Sequence, residues 1–167
     1  MSFEEALEVT RIHSVSGSVP EAGLITERPF RSPHHTASQA SLVGGGSNAM
    51  PGEISKAHNG VLFLDELPEF SRSSMETLRQ PLEDGMVTIT RVHGTYSYPC
   101  NVMMVASMNP CPCGFYGDKK HDCTCTSKKI NAYLNKVSGP LLDRIDLHIE
   151  VPAVDLSLIH ISEPTRP

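Results

Sequence analysis

The segment GVLFLDELPEF, residues 60–70, leaves few folds open to the chain that contains it. Val61, Leu62, Phe63 and Leu64 are apolar at every position, so a strand built from them has no polar face to give to water. It reads as a strand covered on both faces, as in a parallel sheet with helices on either side. Asp65 and Glu66 follow directly. Unpaired carboxylates are costly to bury, so two of them where a covered strand runs out call for a chemical reason.

The rest of the chain supplies partners for such a strand. Ser2 with Glu5 predicts a capping box and a helix through about Ile12. Pro29 and Pro33 leave room for at most a short extended piece between them, and a glycine-rich excursion at 44–52 precedes a helical turn over Glu53 to His58. Ser71 caps a helix through about Asp84, with Met75, Leu78 and Leu82 on one face, Pro81 expected to bend it and Gly85 to close it. Met86–Val92 and Thr95–Tyr98, turning at His93-Gly94, predict a β-hairpin with a solvated face. Val102 to Met108 reads as a second buried strand, Ser127 to Val137 as a helix, Pro140 to Arg144 as a further turn, and Leu147 to Val151 as a third strand. Strands alternating with helices give an α/β sandwich with a parallel sheet.

At 167 residues the chain suits one domain, and with 39 % hydrophobic and 20 % charged residues and no Trp it is ordinary globular material. A formal net charge of -5 excludes a surface that is nucleic-acid-binding as a whole; contact with DNA or RNA has to come from local loops. No run is long enough for a membrane span and no signal-peptide pattern opens the chain, so a cytoplasmic location is the expectation. In a reducing compartment five cysteines then point to metal or plain packing rather than a disulfide framework.

An Asp-Glu pair at the carboxyl end of an apolar strand suits a nucleoside triphosphatase: the Asp can hold Mg²⁺ on the phosphates and the Glu can orient the attacking water. A strand running into a polar loop, both acids solvated, is the competing reading. Asn109 ends the second strand, where its amide can meet a γ-phosphate or simply start a turn before Pro110. Arg144 suits stabilisation of transferred phosphoryl charge, or an ion pair with Asp143 or Asp146. Cys111, Cys113, His121, Cys123 and Cys125 crowd into one polar loop. They suggest a tetrahedral Zn²⁺ site, against a loop of packed reduced thiols. Arg91, His93 and Tyr96, with Tyr98, offer charge and stacking surface for nucleic acid on the hairpin, or a plain solvated face. His34, His35 and His58 show no metal spacing and read as surface or inter-subunit contacts.

GVLFLDELPEF, SMNPCPCG and SGPLLDRIDLHIEVP, together with RPFRSPHHTAS, GGGSNAMPGEISKAHNG and FSRSSMETLRQPLEDG, resemble the magnesium-chelatase-like branch of the AAA+ ATPases, and within it the ComM/YifB group. The resemblance covers residues 1–156 and implies a partial AAA+ (P-loop NTPase) parallel-sheet sandwich with a β-hairpin insertion. By position it implies that Asp65 and Glu66 are the Walker B pair, Asn109 is sensor 1 and Arg144 is the arginine finger acting on a neighbouring subunit's nucleotide. It also implies ATP and Mg²⁺ as cofactors and a ring, expected to be hexameric. The 86–100 hairpin and the 44–51 insertion then engage DNA in the central channel, for branch migration during natural transformation. A chelatase motor inserting Mg²⁺ into a porphyrin and a zinc-containing interaction module are the alternatives.

Two departures qualify the match. No Gly-Lys pair occurs anywhere, so the Walker A loop is absent, as is the lid domain. The chain is therefore expected to be an internal fragment, inactive by itself, whose final strand lacks a neighbour to pair with. Residues 157–167, SLIHISEPTRP, do not resemble the family and are expected to be an artefactual, disordered tail.

Overall fold

The computed structural model describes residues 1–18, 23–92, 94–118 and 120–151; His93 and the 157–167 tail lie outside them. The first helix, α1 (Phe3–Val15), opens on the capping box expected from Ser2 and Glu5: the Ser2 backbone N–H donates to Glu5 Oε2 at 2.6 Å, and the Glu5 N–H donates to Ser2 Oγ at 3.2 Å. Its inner face buries Ala6, Val9 and Ile12. Polar bonds then fix its docking, with His13 Nε2 3.0 Å from the Lys56 carbonyl and Glu8 Oε2 3.2 Å from His58 Nε2. His58 is therefore a buried intrachain contact, not the surface residue its sequence context suggests.

Beyond α1 come β1 (Phe30–Arg31), α2 (Gln39–Val43), β2 (Gly44–Gly45), β3 (Met50–Pro51) and α3 (Glu53–Lys56). The apolar run forms β4 (Val61–Leu64). It is followed by a 3-10 turn at Leu67–Glu69 and by α4 (Arg72–Asp84), which continues through Pro81. Ser71 caps α4 by accepting from the Ser74 N–H, and Gly85 closes it at φ 65°, a left-handed conformation that glycine adopts without a Cβ penalty. A hairpin, β5 (Met86–Arg91) with β6 (Gly94–Pro99), leads to β7 (Met103–Ala106), then α5 (Ser127–Leu134) and α6 (Gly139–Leu142).

The central sheet has the order β1-β4-β7, and both pairings are parallel. Leu64 stands opposite Ala106, so the residues after β4 and after β7 leave the sheet at one carboxyl edge. One face of the sheet is packed. Leu62 and Leu64 are fully buried with Leu42 of α2, Met75 and Leu78 of α4, Leu67 and Leu141. Val87 and Ile89 of the hairpin join the same core from their alternate positions, while the rest of β5 is open to solvent as expected.

Two expectations need correction. The sheet is covered on one face rather than two: Val61 and Phe63 are half-buried, Phe30 only stacks on Phe63 at 6.1 Å, and Met103 is largely exposed. The helices α2 and α4 lie on the Leu62–Leu64 side, and an all-apolar run records how little water a strand tolerates without saying which element excludes it. Leu147 to Val151 is not a strand. Leu147, Ile149 and Val151 are each about 80 % exposed, and the segment pairs with no strand among the described residues. Alternation alone does not make a strand without a ladder to join; the third strand is instead the short piece between Pro29 and Pro33.

Candidate functional site

Asp65 and Glu66 leave β4 at the carboxyl edge and are held there by β7's continuation. The Ser107 backbone N–H donates to the Leu64 carbonyl at 3.0 Å, and the Leu67 N–H donates to the Ser107 carbonyl at 2.9 Å. The Ser107 hydroxyl donates to Asp65 Oδ1, and the Glu66 N–H is shared between Asp65 Oδ1 (3.1 Å) and Ser107 Oγ (3.3 Å). Glu66 itself has φ 52° and ψ 50°, the left-handed region, which costs a non-glycine residue about 1–2 kcal/mol. Such strain persists where the surroundings over-determine it and concentrates at functional sites. The conformation turns the Glu66 side chain toward His35, whose Nδ1 lies 3.3 Å from Glu66 Oε2. His35 in turn sets its ring edge-on to Phe70. A cleft of about 650 Å³ opens beside His35, between residues 35–40 and 69–74.

Asn109 is exposed on the same edge, two residues past Ser107, and its backbone N–H bonds the buried Tyr133 hydroxyl. Burial of Tyr133 raises its phenol above the ordinary value, with Glu69 adding to the effect. The structure therefore brings Asp65, Glu66 and Asn109 together. It does not bring Arg144 to them. Arg144 Nη2 donates to Glu83 Oε1 at 2.7 Å, an ion pair with neither Asp143 nor Asp146. Glu83 closes the end of α4 remote from Glu66, and 13 residues at about 1.5 Å each separate the two ends by roughly 20 Å.

The 44–51 insertion and the β5–β6 hairpin pack on each other. Arg91 Nε donates to the Gly46 carbonyl at 2.9 Å, and the Tyr98 hydroxyl donates to the Ala49 carbonyl at 2.9 Å. Much of the Arg91 guanidinium is thus committed within the chain, while Tyr96 is 43 % exposed and Val92 at the tip 97 %.

Four of the five cysteine-loop candidates converge. The sulfurs of Cys111, Cys113, Cys123 and Cys125 all lie within 4.8 Å of one another, a group able to hold a metal ion. His121 does not join them; its side chain is 63 % exposed, 3.7 Å from Asp118 and tilted against Phe115. Hydrogen bonds from the Phe115 N–H and the Cys111 thiol hold Cys113 down to about 5. Cys123 is pushed up to about 12 in spite of the Cys125 N–H beside it, because burial and the thiols of Cys113 and Cys111 disfavour a second negative charge.

Sequence does not single out Ser107, and reads His35 only as a surface or inter-subunit contact. Ser107 sits in VASMNP two residues before Asn109, and a hydroxyl at a strand end is a usable signal; nothing in RPFRSPHHT ties His35 to Glu66.

The family model described as magnesium chelatase, subunit ChlI, matches residues 1–159. Over 152 residues the chain is 48 % identical to the uncharacterized protein YifB of Escherichia coli (strain K12) and 49 % identical to the competence protein ComM of Haemophilus influenzae. Each match covers 91 % of this chain and 30 % of the relative, so the chain spans less than a third of their length. The crystal structure of NtrX from Brucella abortus in complex with ATP aligns at TM-score 0.46 and 18 % identity, covering 82 % of this chain and 28 % of that one. No helix among the described residues is long and apolar enough to cross a membrane. With a family model matched over nearly its whole length, the chain belongs to the magnesium chelatase subunit ChlI family.

Proposed function

We propose that the chain carries the water-activating half of an ATP-hydrolysing site in a longer, ring-forming AAA+ motor of the ComM/YifB kind. The observation that supports this best is the Asp65–Glu66 pair, fixed by Ser107 at the carboxyl edge of a parallel sheet, with Asn109 beside it. That edge is where open α/β sheets bind ligands. The donor set fits Mg-ATP: a carboxylate at Asp65 suits hydrated Mg²⁺, which prefers oxygen ligands and keeps much of its water. When bound, Mg²⁺ neutralises phosphate charge. Glu66 orients and polarises the attacking water, and Asn109 positions it or the γ-phosphate.

Arg144 pairs with Glu83 at the end of α4 remote from Glu66, which supports its acting on a different nucleotide. We assign it to a neighbouring subunit's nucleotide, with a ring, proposed as a hexamer, supplying that neighbour. The two packed insertions, with Tyr96 and Val92 exposed, form the surface we assign to DNA, for remodelling incoming DNA by branch migration; the relative named as a competence protein supports the link to competence. The assignment of His93 to that surface lies outside the described residues. The test is Glu66→Gln in the full-length protein: nucleotide binding stays and Mg²⁺-dependent turnover disappears. Turnover that survived the change would remove Glu66 from the catalytic role.

A further inference from the structure

Loops of polar residues rarely bring four thiols to one point without a ligand to hold them there. Here the Cys111, Cys113 and Cys123 sulfurs are nearly equidistant, at 3.3, 3.5 and 3.7 Å, and Cys125 completes a group within 4.8 Å. A tetrahedron with metal–sulfur bonds of about 2.3 Å has edges of about 3.8 Å, so the four sulfurs already stand close to its corners. All four are free thiols, and a disulfide joins two sulfurs and gives no reason for a third and fourth to gather. An iron–sulfur cluster places several irons and sulfides between its thiolates and spreads them wider than this group.

We infer that Cys111, Cys113, Cys123 and Cys125 form a mononuclear tetrathiolate zinc site, with His121 outside it. Four thiolates fill the tetrahedron and leave no position for water or substrate, so the site is structural rather than catalytic. Its place in the chain says what it fastens. Cys111 is fully buried two residues beyond Asn109, and Cys125 immediately precedes Thr126, whose side chain accepts from the Lys129 N–H to cap α5. A metal here ties the end of the central sheet to the start of the helix carrying Tyr133, on whose hydroxyl the Asn109 backbone rests. The inference stands on the thiol geometry and is independent of the nucleotide reading.

The test uses the full 167-residue chain, purified under reducing conditions without chelator and analysed for metals by mass spectrometry. One zinc per chain is expected, released by a mercurial reagent in step with thiol modification. Cobalt substituted for zinc should give the charge-transfer and d–d bands of a tetrahedral tetrathiolate. Cys123→Ser should weaken zinc binding by more than the roughly 10–100-fold that loss of an outer-shell partner costs, and His121→Ala should leave it unchanged. Should Cys123→Ser fail to fold, the cobalt spectrum of the unsubstituted chain decides the ligand set. Substoichiometric zinc after reconstitution, a nitrogen-ligand cobalt spectrum, zinc lost with His121→Ala, or iron with labile sulfide each overturns the proposal.

Discussion

Removing the Ser107 hydroxyl should slow hydrolysis about tenfold while leaving the fold intact. In Ser107→Ala the Asp65 carboxylate loses a hydroxyl donor, and the Glu66 N–H loses one of its two acceptors but keeps Asp65 at 3.1 Å. A hydrogen bond to a charged group is worth about 1.5–3 kcal/mol, and because Asp65 is exposed, water replaces part of it, so the low end applies. About 1.4 kcal/mol in the barrier is a factor of ten in rate. The loss should fall on kcat and on the Mg²⁺ concentration for half-maximal turnover. Nucleotide affinity without metal should hold, because Ser107 acts through Asp65. Ser107→Thr keeps the hydroxyl and should recover most of the rate. The assay is steady-state ATP turnover of the full-length protein across a Mg²⁺ titration, with thermal unfolding as a control. Unchanged turnover in Ser107→Ala, or a Ser107→Thr variant as slow as Ser107→Ala, would refute the positioning role.

Gly60→Ala should destabilise the chain by about 1–3 kcal/mol or more in urea unfolding, since a Cβ there would drive into the Pro29 carbonyl that accepts the Val61 N–H at 2.8 Å and pairs β1 with β4. Hydrogen bonds from His58 and Asn59 lower the Glu8 carboxyl below its ordinary value, so their contribution to stability is present above about pH 4.5 and fades as pH falls through the lowered value. Glu8→Gln should flatten that acid limb in pH-dependent thermal melts. Burial pushes Cys100 up to about 11 against a usual 9.0, with Asp84 adding to it, so at pH 8 its native alkylation should run about a hundredfold slower than that of an ordinary thiol. Mass-spectrometric labelling with and without denaturant measures this.

The elements that local chemistry dictates were legible in the sequence. Ser2 with Glu5, Ser71 with Gly85, and the alternation of Val87 and Ile89 each specify an element through groups within a few residues of one another, and each element formed. What failed depended on distant partners. Leu147 to Val151 carries the same alternation as β5, yet β5 has β6 two residues away to complete its ladder, and the 147–151 segment has to find a partner across the whole domain. The apolar character of Val61 and Phe63 likewise says that a cover is favourable without supplying one.

The site divides along the same line. Asp65, Glu66 and Asn109 were readable because strand ends in a parallel sheet share an edge, so two sequence-local observations place three residues together without any side-chain contact being known. The cysteines were readable because proximity in sequence limits how far apart their sulfurs can lie, whereas His121, equally close in sequence, was separated from them by its own interactions with Asp118 and Phe115. Ser107 and His35 act on the acids from other strands or loops, and only the fold joins them. The left-handed backbone at Glu66 links these two levels. Its strain would relax in a solvated loop, and here it persists because Ser107 holds both the Glu66 amide and the Leu67 amide. A turn constrained at two successive amides fixes the direction of the Glu66 carboxylate, and the proposed water-orienting role needs that direction as well as the charge.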